Sequence, residues 1–222
     1  MSALFQCCCA EPPEEEESKP FAHTARNPKQ VKVLKKGDKL VLKHVNVPDF
    51  DERFSEIADL YNEQMENNEI MSDCALRLKE KGASTSLAGC VQNLREKNSN
   101  CDIGVQMEGY NFSLVATSEE ELPETLKEAQ ELMKKLSRST KFVIGNQTKL
   151  GELVFSLLQR KTQISDEIRQ ANSAYLDQVR LEDNLKENVH NIEQAKLLSN
   201  QYAEDANVIL REIAAIAGID NI

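Results

Sequence analysis

The chain has 222 residues, 27 Lys and Arg against 37 Asp and Glu, three His, no Trp and a mean hydropathy of −0.51. A formal charge of −10 disfavours a general nucleic-acid binder, which needs an excess of Lys and Arg to meet the phosphate backbone. No run of about 18 apolar residues offers a bilayer span, and no basic region leads into an apolar signal segment, so the sequence predicts a chain facing the cytosol.

Charge divides the chain unevenly, at +2 over residues 1–45, −7 over 46–149 and −5 over 150–222. Residues 1–29 read as a tail, in which Glu11 and Glu14 to Glu17 with Pro12, Pro13 and Pro20 leave too little apolar surface to offset ordering entropy. Near its start Cys7, Cys8 and Cys9 follow Leu4 and Phe5. Adjacent cysteines are poorly disposed to pair with one another or to ligate one metal, and the cytosol disfavours stable disulfides. S-acylation is the chemistry that uses such a cluster, and two or three chains at about 0.8 kcal/mol per buried methylene anchor a protein firmly. The sequence therefore points to the cytoplasmic face of a membrane. The following basic stretch, with Lys29, Lys32, Lys35, Lys36, Lys39 and Lys43, is a candidate contact for anionic lipid; lysines on an edge strand also serve simply to block aggregation.

Residues 30–147 read as a small α+β domain of hairpins and helices. Val31, Val33, Leu34 and Leu40, Val41, Leu42, Val45 around Lys36-Gly37-Asp38 predict a first hairpin. Helical spacing predicts a helix over 49–81, kinked or divided around 62–68 and ended by Gly82, then a shorter helix over 86–97. Ile103, Val105, Met107 and Tyr110, Phe112, Leu114, Val115 predict a second hairpin about Glu108-Gly109. Ser118 with Glu121 resembles a capping box, and Leu126, Ala129, Met133 and Leu136 supply the stripe of the helix it would start, with Pro123 able to delay that start. Phe142, Val143 and Ile144 predict one more strand.

Residues 148–218 read as a long coiled-coil-like helix, with a short tail over 219–222. No Pro interrupts it, Gly218 suits its C-cap, and 15 of 20 positions at alternating spacings of four and three are apolar. The seam includes Leu150, Val154, Leu157, Ile164, Ile168, Tyr175, Leu185, Val189, Ile192, Leu210 and Ile213. Unbroken, the helix would reach roughly 100 Å at 1.5 Å per residue; two or three antiparallel helices of a bundle would show a similar seam. Gln178, Glu182, Lys196 and Ser199 interrupt the seam and can set partner choice, so a helical protein partner is at least as well suited as a homo-oligomer.

Catalytic patterns are not found. His23, His44 and His190 belong to no metal-spaced pair, Cys74, Cys90 and Cys101 read as structural thiols, and no phosphate-loop, dinucleotide, nucleophile-elbow or zinc-protease motif occurs. Ser84, Thr85 and Ser86 precede a predicted helix and are caps or an anion cradle. Neither a metal nor a cofactor is implied. The sequence thus predicts a non-enzymatic, membrane-anchored scaffold or adaptor that assembles with partners through its C-terminal helix. A SNARE-like fusion or trafficking factor, or a cytoskeletal or ciliary subunit, are the competing classes.

Overall fold

The computed structural model describes residues 34–171 and 174–219. Among the described residues the protein is mostly helical, with five helices and a two-stranded antiparallel sheet, compatible with the α+β class. α1 (Pro48–Lys81) begins with Pro at its first position, Asp49 and Asp51 in its first turn and Lys79 and Lys81 in its last, each matched to the helix dipole. It is one continuous helix, so the division into two helices around 62–68 does not occur. α2 (Leu87–Lys97) is capped by Ser86, whose hydroxyl accepts from the Gly89 amide at 3.0 Å.

β1 (Asp102–Glu108) and β2 (Asn111–Thr117) form the second expected hairpin, in a register that pairs Glu108 with Asn111. Gly109, at φ +55°, takes the first position of the two-residue turn, where a left-handed backbone favours glycine. Ile103, Val105, Phe112 and Leu114 are buried on alternate positions. The hairpin is tied to α3 (Glu124–Gln159) by the Ser137 hydroxyl, which accepts from the Phe112 amide, and by Gln130, which donates to the Leu114 carbonyl.

α3 corrects three expectations. Pro123 is its N-cap, while the Ser118 hydroxyl accepts from the Glu120 amide instead of closing a capping box. Val143 lies inside the helix, so 142–144 is not a strand; its buried position continues the spacing Leu136, Thr140, Val143, Leu150, Val154, Leu157, and packing along that stripe outweighs the local β preference. The expected boundary near 148 falls in mid-helix, and the α+β region and the C-terminal helices belong to one compact unit.

The expected rod of residues 150–217 is divided. At Arg160 the helix tightens for one residue before α4 (Lys161–Ala171), and Ala174 is extended ahead of α5 (Tyr175–Ala217). α5 ends at Gly218 in the left-handed conformation, as its sequence predicts. Cross-contacts set the helix directions. Gln64 reaches Val143, Lys149 reaches Glu56 and Arg160 lies over the Phe50 ring, so α3 runs antiparallel to α1. Gln147 bonds Asn200 and Arg169 bonds Glu182, so α5 returns antiparallel to α3 and α4, and Tyr61 meets Tyr202 with α1 and α5 parallel. One hydrophobic core fills the space between these helices and reaches under the sheet.

Candidate interaction surface

Residues 34–47 carry no strand, so the expected first hairpin is corrected within the described part of that segment. The backbone turns at Lys35 to Asp38, with Gly37 at φ +87°, and then lies extended along the groove between α1 and α5. Two asparagines stand in for the missing partner strand. Asn62 of α1 accepts from the Leu40 amide at 2.8 Å and donates to the Leu40 carbonyl at 3.1 Å. Asn188 of α5 does the same for Lys43, at 2.8 and 2.7 Å. A primary amide offers a donor and an acceptor side by side, the pair that one residue of a strand presents to its neighbour.

Further contacts hold the ends of this strap. The Gly37 amide donates to the Tyr202 hydroxyl, Asn184 donates to the His44 carbonyl, and the Asp51 carboxylate accepts from the Val45 amide. Leu40 and Val45 are buried between the helices. Beneath the strap, Tyr61 and Tyr202 are fully buried with their hydroxyls 3.4 Å apart; burial, then the Tyr202 hydroxyl, holds the Tyr61 phenol above its usual range.

Lysines proposed for lipid contact therefore stand in a different setting. Lys36 pairs with Asp205 at 2.8 Å and sits over the Tyr202 ring, Lys39 pairs with Glu66 at 3.0 Å, and Lys43 pairs with Glu187 at 2.6 Å. Lys35 is exposed, and its amide donates to the Asp38 carboxylate. Lys29 and Lys32, like Cys7, Cys8 and Cys9, lie outside the described residues.

Ten of the eleven named seam positions are buried inside the chain. Leu150, Val154 and Leu157 lie on α3, Ile164 and Ile168 on α4, and Leu185, Val189, Ile192, Leu210 and Ile213 on α5. Tyr175 is 74 % exposed, next to Leu176 at 77 %. Leu197 and Val208 are also exposed on α5. The seam thus packs within the chain, and the outward apolar residues are a different set.

The cap before α2 does receive an anion, and it is the chain's own. Glu212 of α5 accepts from the amides of Leu87 at 2.6 Å and Ala88 at 3.4 Å, so a carboxylate meets the positive end of the helix dipole. Ser84 and Ser86 complete local caps. Gly82 is required here by space, because a Cβ on it would come within 2.4 to 2.6 Å of Cys90.

Cys74, Cys90 and Cys101 are free and buried, and burial raises the Cys74 and Cys90 thiols above their ordinary range. His44 is exposed with its ring 3.6 Å from Asp51, His190 is half-buried, and His23 lies outside the described residues. Among the described residues no group of three His, Cys, Asp or Glu is disposed to hold a metal, and no helix is long and apolar enough to cross a membrane. What the groove does chemically is grip an extended backbone between two amides and match flanking lysines with carboxylates. Sequence reading missed it because Asn62, Asn184 and Asn188 are unremarkable on polar helix faces; their signal is the spacing of four from Asn184 to Asn188 beside a buried stripe. No family model, curated protein or solved structure matches this chain.

Proposed function

We propose that the chain is a membrane-tethered adaptor of the cytoplasmic face, held by S-acylated Cys7, Cys8 and Cys9 and presenting its helical bundle to protein partners. The observation that carries this reading is the run of three cysteines behind Leu4 and Phe5, set apart from the bundle by a Pro- and Glu-rich stretch. One acyl chain binds a bilayer only marginally, and two or three hold it stably. The lysines of the strap that pair with carboxylates contribute less to lipid attraction than free ones would, so the acyl chains carry the tether.

The spacing of fours and threes along α5 supports coiled-coil-like packing, made within the chain against α3 and α4. Partner binding then falls to the outer surface, where Leu176, Leu197 and Val208 are exposed and the strap lies in its groove. The exposed Leu176, Leu197 and Val208 suit a helical protein partner or a second copy of the chain.

Fractionation of cells expressing the intact protein tests the tether. Hydroxylamine, which cleaves thioesters, is expected to move the protein from the membrane to the soluble fraction, and Cys7→Ser, Cys8→Ser, Cys9→Ser together to abolish the membrane pool. Sedimentation with a detergent-insoluble scaffold, unchanged by either treatment, would replace the tether with the structural-subunit reading.

A further inference from the structure

The strap occupies its groove as a bound peptide would. Recognition of its main chain comes from both walls, Asn62 on α1 and Asn188 on α5, each taking the amide and carbonyl of one residue. Those contacts do not depend on the side chains of the bound segment, as in strand addition to a sheet edge. Selectivity comes from the rest. Leu40, the residue held by Asn62, is 2 % exposed, and Lys36, Lys39 and Lys43 meet Asp205, Glu66 and Glu187. We propose that the α1/α5 groove is a docking site for an extended basic segment of a partner protein, with a leucine between its lysines, and that residues 36–45 fill it in cis.

Charge complementarity names the occupant. Glu66, Glu187 and Asp205 line the groove, and the Glu69 carboxylate lies 3.9 Å from the point where Gly37 would carry a Cβ. An acidic or helical segment would meet these carboxylates or forgo the amide clamps. The three ion pairs are solvent-exposed and individually weak, so the resident segment is exchangeable at its edges while Leu40 and the clamps set its register. A segment tethered in cis acts at an effective concentration of roughly millimolar, so a ligand in trans competes with it and gains when it is weakened. The inference deepens the partner side of the adaptor reading and rests on it only for that role.

A fluorescein-labelled peptide of residues Leu34 to Val47 is titrated into the full chain and followed by anisotropy. The variant Lys36→Gln, Lys39→Gln, Lys43→Gln is expected to bind it more tightly than the unaltered chain, by up to about tenfold. Adding Asn188→Ala to that variant removes the gain, with Asn62→Ala as the second groove variant should the first not fold. Absence of binding to the folded triple variant overturns the inference, as does equal binding of a peptide with the same residues scrambled. A concentration-dependent dimer of the unaltered chain, dissolved by the peptide, would overturn the assignment to a different protein and give the groove to a second copy. The titration contains no membrane, so its failure leaves the fractionation result standing, and the reverse.

Discussion

α5 makes two long contacts from neighbouring stripes, and they are built from opposite chemistry. Leu185, Val189, Ala203 and Ala206 lie on the apolar stripe that closes the bundle, while Asn184, Asn188, Tyr202 and Asp205, each one residue earlier, face the strap. The first stripe is matched by shape and removal from water, which any apolar helix of the right spacing supplies. The second is matched atom by atom to a backbone. A helix can therefore be committed to its own fold along one line and to recognition along the next, with a rotation of one residue between them.

The comparison is sharpest at the buried stripe. Ile192 is fully buried, so Ile192→Ala is expected to remove about 3 kcal/mol from the unfolding free energy, the sum of lost transfer energy and a residual cavity. Urea denaturation monitored by circular dichroism measures it. Tyr175, on the same seam by sequence but exposed, provides the internal contrast: Tyr175→Ala should change stability by less than about 0.5 kcal/mol. Equal losses at the two positions would mean that the seam is not satisfied within the chain.

On the polar stripe the loss should be smaller and of another kind. Asn188→Ala leaves the Lys43 amide and carbonyl without their partner, and is expected to cost about 2 kcal/mol. Because the strap alone is released, hydrogen exchange should quicken at residues 37–45 while amides of α3 keep their protection. Loss of protection across α3 as well would show that strap and bundle open as one unit.

Much of this architecture was legible in the sequence, and its failures have physical causes. Helices α1, α2 and α5 and the 102–117 hairpin follow from spacing, caps and the Gly109 turn. The break before α5 has neither Gly nor Pro to announce it; Asn172 and Ser173 are turn-forming types, a weaker signal than the seam running through them. Val143 reads as strand from sequence because three adjacent β-prone residues are a local signal, while its seven-residue spacing from Leu136, which places it on the buried stripe of α3, is not. In the strap the extended backbone was readable but its partner was not. A strand seeks another strand in sequence, whereas here side chains 22 and 145 residues away provide the pairing. The lysines stand out as a set in the sequence, whereas the carboxylates that pair with Lys36, Lys39 and Lys43 lie on helices elsewhere in the chain and give no local signal.

The smallest expected effect separates the roles within the strap itself. Lys36, Lys39 and Lys43 have more than two-fifths of their side chains exposed, so each pair gains little in high dielectric and loses side-chain freedom in forming. Replacing one, as in Lys39→Gln, should shift stability by about 0.5 kcal/mol or less, and the shift should shrink further between 0.05 and 0.5 M salt, roughly the range over which the Debye length falls well below 10 Å. The amide clamps are neutral and should hold unchanged through the same range. If salt instead released residues 37–45 to exchange, the ion pairs would be the principal restraint and the asparagines secondary. Persistence of protection in high salt, together with its loss in Asn188→Ala, would assign grip to the amides and selectivity to the charges.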